Sequence, residues 1–349
     1  MPVLSKSLFG YINDTPIHLY TITNENNFTC TITNYGCAIT SIMAPDKNNI
    51  SDEVVIGFDR LSQYYNAHPH IGTIVGRTAN RISNSSFILN DATYKLNENL
   101  PPHHLHGGNS GFDKRIWNCE VESNHDKIIL IMKYVSPDGE ENYPGNLSCQ
   151  VTFTFYKQNQ IDLDYKCTTD KSTLVNLTHH DYFNLNSGGL QSVLDHQLII
   201  NSDTYTELNN EVCPTGEILN VTDTQFDFRE YKSFRDNIVE KVGSIRMDNG
   251  YDNNFIINKD KDEFAASLRD PISRRQLNIY SDKPCLQLYT PVQLSESIVG
   301  SKNANTLFPA VCLESQSYPD SINQNNFPNY ILNPGEVYAY HTAYRFSIY

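Results

Sequence analysis

An all-β chain, folded as one large antiparallel β-sandwich, is predicted by three observations. Apolar and polar residues alternate with period two in run after run, as they do in strands with one wet and one dry face. Tyrosine and phenylalanine are abundant, 22 and 16 of 349 residues, and suit sheets better than helices. Turn signals recur, among them Ser136-Pro-Asp-Gly139, Tyr143-Pro-Gly145, Pro214-Thr-Gly216 and Asn333-Pro-Gly335, while no long amphipathic helix appears.

In chain order, Phe28-Thr-Cys-Thr-Ile-Thr33 is a clear alternating run. Asp59-Arg-Leu-Ser-Gln-Tyr-Tyr65 reads as a short helix. Val151-Thr-Phe-Thr-Phe155 alternates again, and after a polar turn so does Ile161-Asp-Leu-Asp-Tyr165. Val311-Cys-Leu-Glu-Ser-Gln-Ser317 is a strand-like run with one glutamate inside it. Val337 to Ile348 alternates to the end, and each such run predicts a half-buried strand. No low-complexity linker, tandem repeat or compositional shift divides the sequence, so a single domain over residues 1–349 is expected.

Charge narrows the class of partner. With 26 Lys+Arg against 40 Asp+Glu, the formal charge is −14. That balance argues against nucleic acid, anionic membrane surfaces and polyanionic substrates. The eight cysteines are scattered without a CxxC pair, which reads as buried thiols in a reducing compartment. The first ten residues lack the apolar core of a signal peptide, and no apolar run is long enough for a bilayer, so a cytoplasmic protein is expected. Sequons such as Asn27-Phe-Thr29 are what a chain rich in Asn, Ser and Thr contains by chance.

Chemistry points to a few segments. Asn176-Leu-Thr-His-His-Asp-Tyr-Phe-Asn-Leu185 sets two histidines beside an acid in a strand-like run. Histidine is suited to moving protons near neutral pH, and a carboxyl inside a strand, such as Glu314, must be paired, solvated or useful. On one strand His179 and His180 point to opposite faces, so one of them at most serves a given pocket; a satisfied core histidine is the alternative for either. Pro102-His-His-Leu-His-Gly-Gly108 places His104 and His106 on one face of a strand, where two metal ligands are conceivable with His180 as a third. No HExxH or Cys/His spacing supports a metal, and a solvated loop accounts for His103 and His104. The Gly-Gly after His106 permits close approach of backbone or ligand. Gly76-Arg-Thr-Ala-Asn-Arg-Ile82 holds two arginines, and the pattern does not choose between structural partners and donors to a ligand. Asp252 fits a turn aspartate equally well. No GxSxG elbow and no glycine-rich phosphate loop is present.

These segments together resemble the aldose 1-epimerases. In family order the blocks are Gly76-Arg-Thr-Ala-Asn-Arg-Ile82, Leu105-His-Gly-Gly108 with Gly111-Phe-Asp-Lys-Arg-Ile-Trp117, Ser136-Pro-Asp-Gly-Glu-Glu-Asn-Tyr-Pro-Gly145 and the Asn176–Leu185 segment. Then follow Pro214-Thr-Gly-Glu-Ile218, Gly250-Tyr-Asp252, Leu286-Gln-Leu-Tyr-Thr290, Cys312-Leu-Glu-Ser-Gln316 with Tyr318-Pro-Asp320, and Asn333-Pro-Gly-Glu336. Any one block is weak, but the ordered set is specific and spans nearly the whole chain. The resemblance implies a β supersandwich of the galactose mutarotase kind. It implies an isomerase that interconverts the α and β anomers of a hexose such as D-galactose or D-glucose, with no cofactor and no metal, as a monomer or homodimer. It places the acid on His180, which precedes the x-Tyr-Phe-Asn-Leu element, and the base on Glu314. It places sugar contacts on Asn80, Arg81, His106, Asp252 and Gln287.

Four departures accompany it. His179 stands where Asn is usual, Asn142 replaces the Gly before Tyr-Pro-Gly, Asn253 replaces a common His, and Pro291 follows Tyr-Thr. Asparagine tolerates a left-handed backbone better than other non-glycine residues, so the Asn142 loop is expected to survive. Two rivals share the fold: a hexose-phosphate epimerase, which would need further cations at the pocket, and a non-catalytic carbohydrate-binding or sensor protein, which would not need both His180 and Glu314.

Overall fold

The computed structural model describes residues 2–66, 70–186, 188, 191–238, 250–258, 264–296 and 306–349. Every pairing between its described strands is antiparallel. The chain opens with a five-stranded meander, Val3–Ile12, Thr15–Thr23, Thr29–Thr33, Ile39–Pro45 and Ser51–Glu53. A nine-stranded sheet forms the bulk. Its first four strands, Asn118–Ser123, Lys127–Ser136, Leu147–Tyr156 and Gln160–Thr169, follow one another, and the C-terminal strand Tyr338–Ile348 lies beside the fourth. A second five-stranded sheet runs in the order Pro214–Asn220, Thr204–Leu208, Asp252–Ile256, Cys285–Tyr289, Cys312–Gln316. The helical reading near residue 60 corresponds to one short helix, Leu61–Asn66, whose Leu61 and Tyr64 face inward.

One apolar cluster joins the three sheets. It takes Ile22, Ile32 and Ile42 from the first, Leu130, Val151, Phe153, Leu163, Leu277 and Tyr344 from the large sheet, and Phe255, Leu286 and Leu313 from the third. Each fully buried side chain of this kind contributes roughly 1.5–3 kcal/mol. The expected half-burial holds in Leu147–Tyr156, where Leu147, Cys149, Val151 and Phe153 face inward. The C-terminal strand departs from it: Thr342, Ala343 and Tyr344 are all buried. That strand is paired along both edges, by Gln160–Thr169 and Arg275–Ser281, and the burial of three successive residues shows that its middle is covered on both faces as well. All eight cysteines are free thiols, and seven are buried.

Two arrangements prepare the site. Arg77 is buried and reaches under the loop after Ser136, donating from all three nitrogens to Ser136 Oγ and to the carbonyls of Ser136, Pro137, Pro144 and Gly145 at 2.8–3.0 Å. In that loop Asn142 adopts φ 69°, the left-handed conformation expected where a glycine is usual. The loop's Glu141 accepts from the backbone N–H groups of Asn109 and Ser110, which secures the segment after His106.

His103 and His104 are a correction. They are buried, not solvated. His104 uses both ring nitrogens inside the protein, Nδ1 with the Asn97 carbonyl and Nε2 with the Tyr143 hydroxyl, each at 2.8 Å. His103 Nδ1 accepts from the Asn84 N–H at 3.2 Å. The sequence hides this because the covering residues, Asn97, Tyr143 and Asn84, come from separate loops.

Candidate active site

The third sheet lays down one wall. Across its strands Asn254, Gln287 and Glu314 are directly opposite one another, and so are Asp252, Tyr289 and Cys312. Opposed residues and those two positions along share a face, so Asp252, Gln287, Tyr289 and Glu314 point the same way. A row of amides locks them. Gln316 Nε2 donates to Asn254 Oδ1 at 2.9 Å and to Gln287 Oε1 at 3.2 Å, and Gln287 Nε2 donates to Asp252 Oδ1 at 2.6 Å. Asp252 Oδ2 then accepts from Arg81 Nη2 at 3.3 Å.

Two very short strand pairs bring in the histidines. Thr178–His179 pairs with Ile74–Val75, and the His180 N–H continues the ladder to the Thr73 carbonyl at 2.9 Å. His104–Leu105 pairs with Arg81–Ile82. The strand ends at Leu105, and His106 turns into the left-handed region, φ 51°, so it does not share a face with His104 as a continuous strand would require. Gly107 makes this turn possible, since a Cβ there would lie 1.8 Å from the Gly76 carbonyl oxygen. His106 Nδ1 accepts from the Asn80 N–H at 3.1 Å. A nitrogen that accepts carries no proton, so the ring's proton is on Nε2.

The result is a cavity of about 160 Å³ lined by His70, Asn80, Arg81, Leu105, His106, His180, Tyr182, Asp252, Gln287, Tyr289 and Glu314. It holds about five waters at ~30 Å³ each, or one small polar molecule. All seven residues singled out in the sequence, His180, Glu314, Asn80, Arg81, His106, Asp252 and Gln287, come together here. Of the two arginines in the Gly76–Ile82 segment, Arg77 is structural and Arg81 lines the cavity. His179 faces the other way, with Nδ1 2.8 Å from Asp181 Oδ2 and Nε2 3.1 Å from the Cys37 carbonyl.

His180 Nε2 and Glu314 Oε1 face each other at 3.6 Å, both residues buried. His180 stacks on Tyr182 at 5.0 Å and meets the edge of His106 at 5.3 Å. Among the described residues, His180 Nδ1, Glu314 Oε2 and Arg81 Nε have no hydrogen-bond partner within the protein. Polar atoms left so in a folded interior are the mark of a site awaiting a polar ligand. Burial acts on both members of the pair. It lowers His180 to about 3, helped by the charge of His70 and opposed by the nearby carbonyl of its own backbone, which favours a protonated ring. It raises Glu314 well above the usual carboxylate range, with Asp252 and Asp181 adding to the rise and Arg81 opposing it. The short distance favours an ion pair and desolvation of both groups opposes it, which draws the two arrangements of their one shared proton closer in energy than in water.

The metal reading keeps two of the three residues the sequence suggested, His106 and His180, and exchanges His104 for Glu314. His104 is occupied internally, and the candidate ligands are His106, His180 and Glu314, whose atoms lie within 4.8 Å of one another. Ligands of a tetrahedral zinc, with bonds near 2.0–2.1 Å, stand about 3.3 Å apart, so this set is too spread for zinc without closing up.

Sequence reasoning missed four cavity residues, Leu105, Tyr182, Tyr289 and His70. Tyr289 lies two positions from Gln287 on the strand Cys285–Tyr289, so the period-two rule would have found it, whereas Tyr182 lies beyond the two-residue strand that ends at His179. Burial raises both phenols, so they remain protonated donors. His70 carries no such signal, because it enters from a left-handed turn, φ 56°, outside any strand.

The profile of the aldose 1-epimerase family matches residues 18–345. The galactose mutarotase of Bos taurus is 35% identical over 356 residues, covering 100% of both chains. The aldose 1-epimerase of Escherichia coli (strain K12) is 31% identical over 335 residues, 95% of each. Among solved structures, a GalM/aldose epimerase homologue from C. elegans superposes with a TM-score of 0.86 at 28% identity, covering 95% of this chain and 98% of that one. A galactose 1-epimerase from Lactobacillus acidophilus NCFM gives 0.88 at 22% identity, covering 100% and 99%, a likeness of fold.

Proposed function

The chain belongs to the aldose 1-epimerase family, and we propose that His180 and Glu314 carry its reaction as general acid and general base. The protein is an isomerase that interconverts the anomers of aldoses. A cyclic aldose must open to change its anomer: the C1 hydroxyl loses a proton and the ring oxygen gains one. Glu314 as carboxylate accepts the first, and His180 as imidazolium gives the second. Rotation about C1–C2 and reclosure with reversed roles delivers the other anomer. No electrons or groups leave the sugar.

The observation that carries this reading is the His180–Glu314 pair, 3.6 Å apart on the cavity wall with one unpartnered atom on each. Its protonation follows the chemistry. In water the proton of such a pair prefers the imidazole, since glutamic acid titrates near 4.3 and histidine near 6.5. Burial shifts both groups against that order. The open-chain aldehyde is the state in which Glu314 has taken a proton and His180 has given one. Relative to water, the fold therefore stabilises the pair in the form that accompanies the intermediate, and each step conserves the one shared proton. The rate should be flat over a wide pH range, falling in acid when the pair gains a second proton and in alkali when it loses its only one.

A neutral aldohexose such as D-galactose or D-glucose fits the rest of the cavity. Arg81 is its one cation among the described lining residues, and Asp252 already engages it. A phosphate group would lack a free positive charge there, which disfavours the hexose-phosphate rival. Arg81, His106 and Asn80 donate to sugar oxygens in this reading, while Asp252 and Gln287 hold hydroxyls. Polarimetry on fresh α-D-galactose and α-D-glucose with wild type, His180→Asn and Glu314→Gln tests it. Activity on the free sugars, lost in both variants, is expected; an inactive wild type would favour the sensor rival, and preference for a sugar phosphate the other.

A further inference from the structure

The cavity contains a third imidazole that the acid–base pair does not use. We propose that His70, set beside Asp113, is a positioning residue of this site that acts through the His180 ring. This rests on the assignment of His180 as the acid.

The geometry ties His70 to His180 twice. Through the backbone, Gly72 donates to the His180 carbonyl and His180 to the Thr73 carbonyl, each at 2.9 Å. The Thr73 N–H and hydroxyl in turn donate to the His70 carbonyl at 3.2 and 3.1 Å. The turn that presents His70 is thus laced into the strand that presents His180. Through the rings, His70 lies 6.1 Å from His180 at a 22° interplanar angle, and 4.8 Å from His106, edge to face. His70 Nδ1 stands 3.3 Å from Asp113 Oδ2; the Asp113 side chain is buried and that of His70 is 9% exposed. A carboxylate beside one ring nitrogen fixes the orientation of the ring, as it does for histidines in other acid–base sites.

The charges facing His180 come from several elements. On its own segment are His179 and Asp181. From others come His70 with Asp113, His106, Tyr182, Tyr289, Glu314, Asp252 and Arg81. Of these, a proton on His70 acts most strongly on His180 after desolvation itself, and in the lowering sense. A second proton on the catalytic pair is the event that ends activity in acid. A like charge beside His180 delays that event to lower pH. His70 would therefore widen the working range without touching the reacting atoms.

The test is the pH–rate profile of His70→Gln, which removes the imidazole and keeps a polar side chain. The acid limb of kcat is expected to move to higher pH by about one unit. The plateau kcat should fall several-fold and KM by less than about twofold. A role in structure alone would lower the rate equally at all pH values, and a direct sugar contact would raise KM with the limb unmoved; either result overturns the proposal. A second measurement does not depend on the variant folding. In wild type with labelled histidines, the His180 ring signal, assigned with His180→Asn, should titrate in two coupled steps, one shared with His70. A single independent step would also overturn it. Should His180→Asn keep wild-type turnover, the acid assignment itself fails. An inactive His180→Asn beside an unchanged His70→Gln profile refutes the role of His70 alone.

Discussion

Arg77 and Arg81 stand four positions apart in one segment, yet they belong to opposite kinds of region. Around Arg77 every polar group is answered: its three nitrogens meet four backbone carbonyls and a hydroxyl in the loop from Ser136 to Gly145. Around Arg81 the accounts stay open, with its own Nε, His180 Nδ1 and Glu314 Oε2 lacking partners among the described residues. Both regions are buried and polar. The difference between them separates scaffold from site: a satisfied network rigidifies, whereas an unsatisfied one holds stabilisation in reserve for a ligand. Substitutions in the two regions should accordingly fail in different measurements.

The largest effect is expected at the pair itself. His180→Ala and Glu314→Ala should each lower turnover by about 10²–10⁴-fold, the contribution of a general acid or base, with the far-ultraviolet circular dichroism of a β protein retained. Polarimetry beside circular dichroism checks this. Near-wild-type turnover in either variant would place the chemistry elsewhere.

Arg77→Met should invert that pattern. It removes the donor shared by several buried carbonyls and should cost about 3–5 kcal/mol of stability, given about 1–3 kcal/mol per buried group left unpaired. Arg81→Met should leave the unfolding midpoint near wild type, because a half-open pair with Asp252 is worth about 0–1 kcal/mol, and lower kcat/KM instead. Denaturant melts and steady-state rates on both variants decide. Equal destabilisation by the two would erase the distinction drawn here.

The open region should also weaken the fold. Glu314 has a folded pKa raised by burial above its unfolded value near 4.3. A group so raised stabilises fully below the unfolded value and loses that contribution as pH rises through the folded one, so at pH 7 the carboxyl burdens the fold. Glu314→Gln should therefore be more stable than wild type at pH 7, by about 1–2 kcal/mol, while inactive. The buried imidazoles carry the opposite sign. His180 and His196 are lowered by burial to about 3 and about 4. Their neutral forms support the fold fully above about 6.5, and that support drains as pH falls from there toward 4 and 3. Melts of wild type and Glu314→Gln across pH 4–8 test both signs. A variant less stable than wild type at pH 7 would mean that Glu314 is satisfied in solution.

How much of this the sequence could tell follows the same division. Alternation located Thr29–Thr33, Leu147–Tyr156, Gln160–Thr169 and Tyr338–Ile348, because long strands on a closed core print their burial into the sequence. The two-residue strands that deliver His180 and His106 are too short to show a period. Whether an arginine is scaffold or site depends on carbonyls some sixty positions away, which no local pattern contains. The cavity residues were legible through the ordered family blocks. His70 was not, because nothing in its neighbourhood distinguishes a loop histidine from a wall of the cavity.

The smallest effect is expected where a catalytic histidine has a twin. His179 adjoins His180, but its ring lies in the core, edge-on to Phe153 at 5.7 Å, with Asp181 and the Cys37 carbonyl engaging its two nitrogens. His179→Asn cannot span both partners. It should cost about 1–3 kcal/mol of stability by leaving a buried acceptor unpaired. Turnover should stay within about tenfold of wild type, since the strand still presents His180 to the cavity. Charge on His179 does bear on His180 in the lowering sense, but less than that of His70, so the acid limb should move by well under one unit toward higher pH. Comparing pH–rate profiles of wild type, His179→Asn and His70→Gln puts the two neighbours on one scale. A shift of a full unit in His179→Asn, or a hundredfold loss of rate, would mean that the core face and the cavity face of this strand are not independent, and that scaffold and site meet inside a single pair of residues.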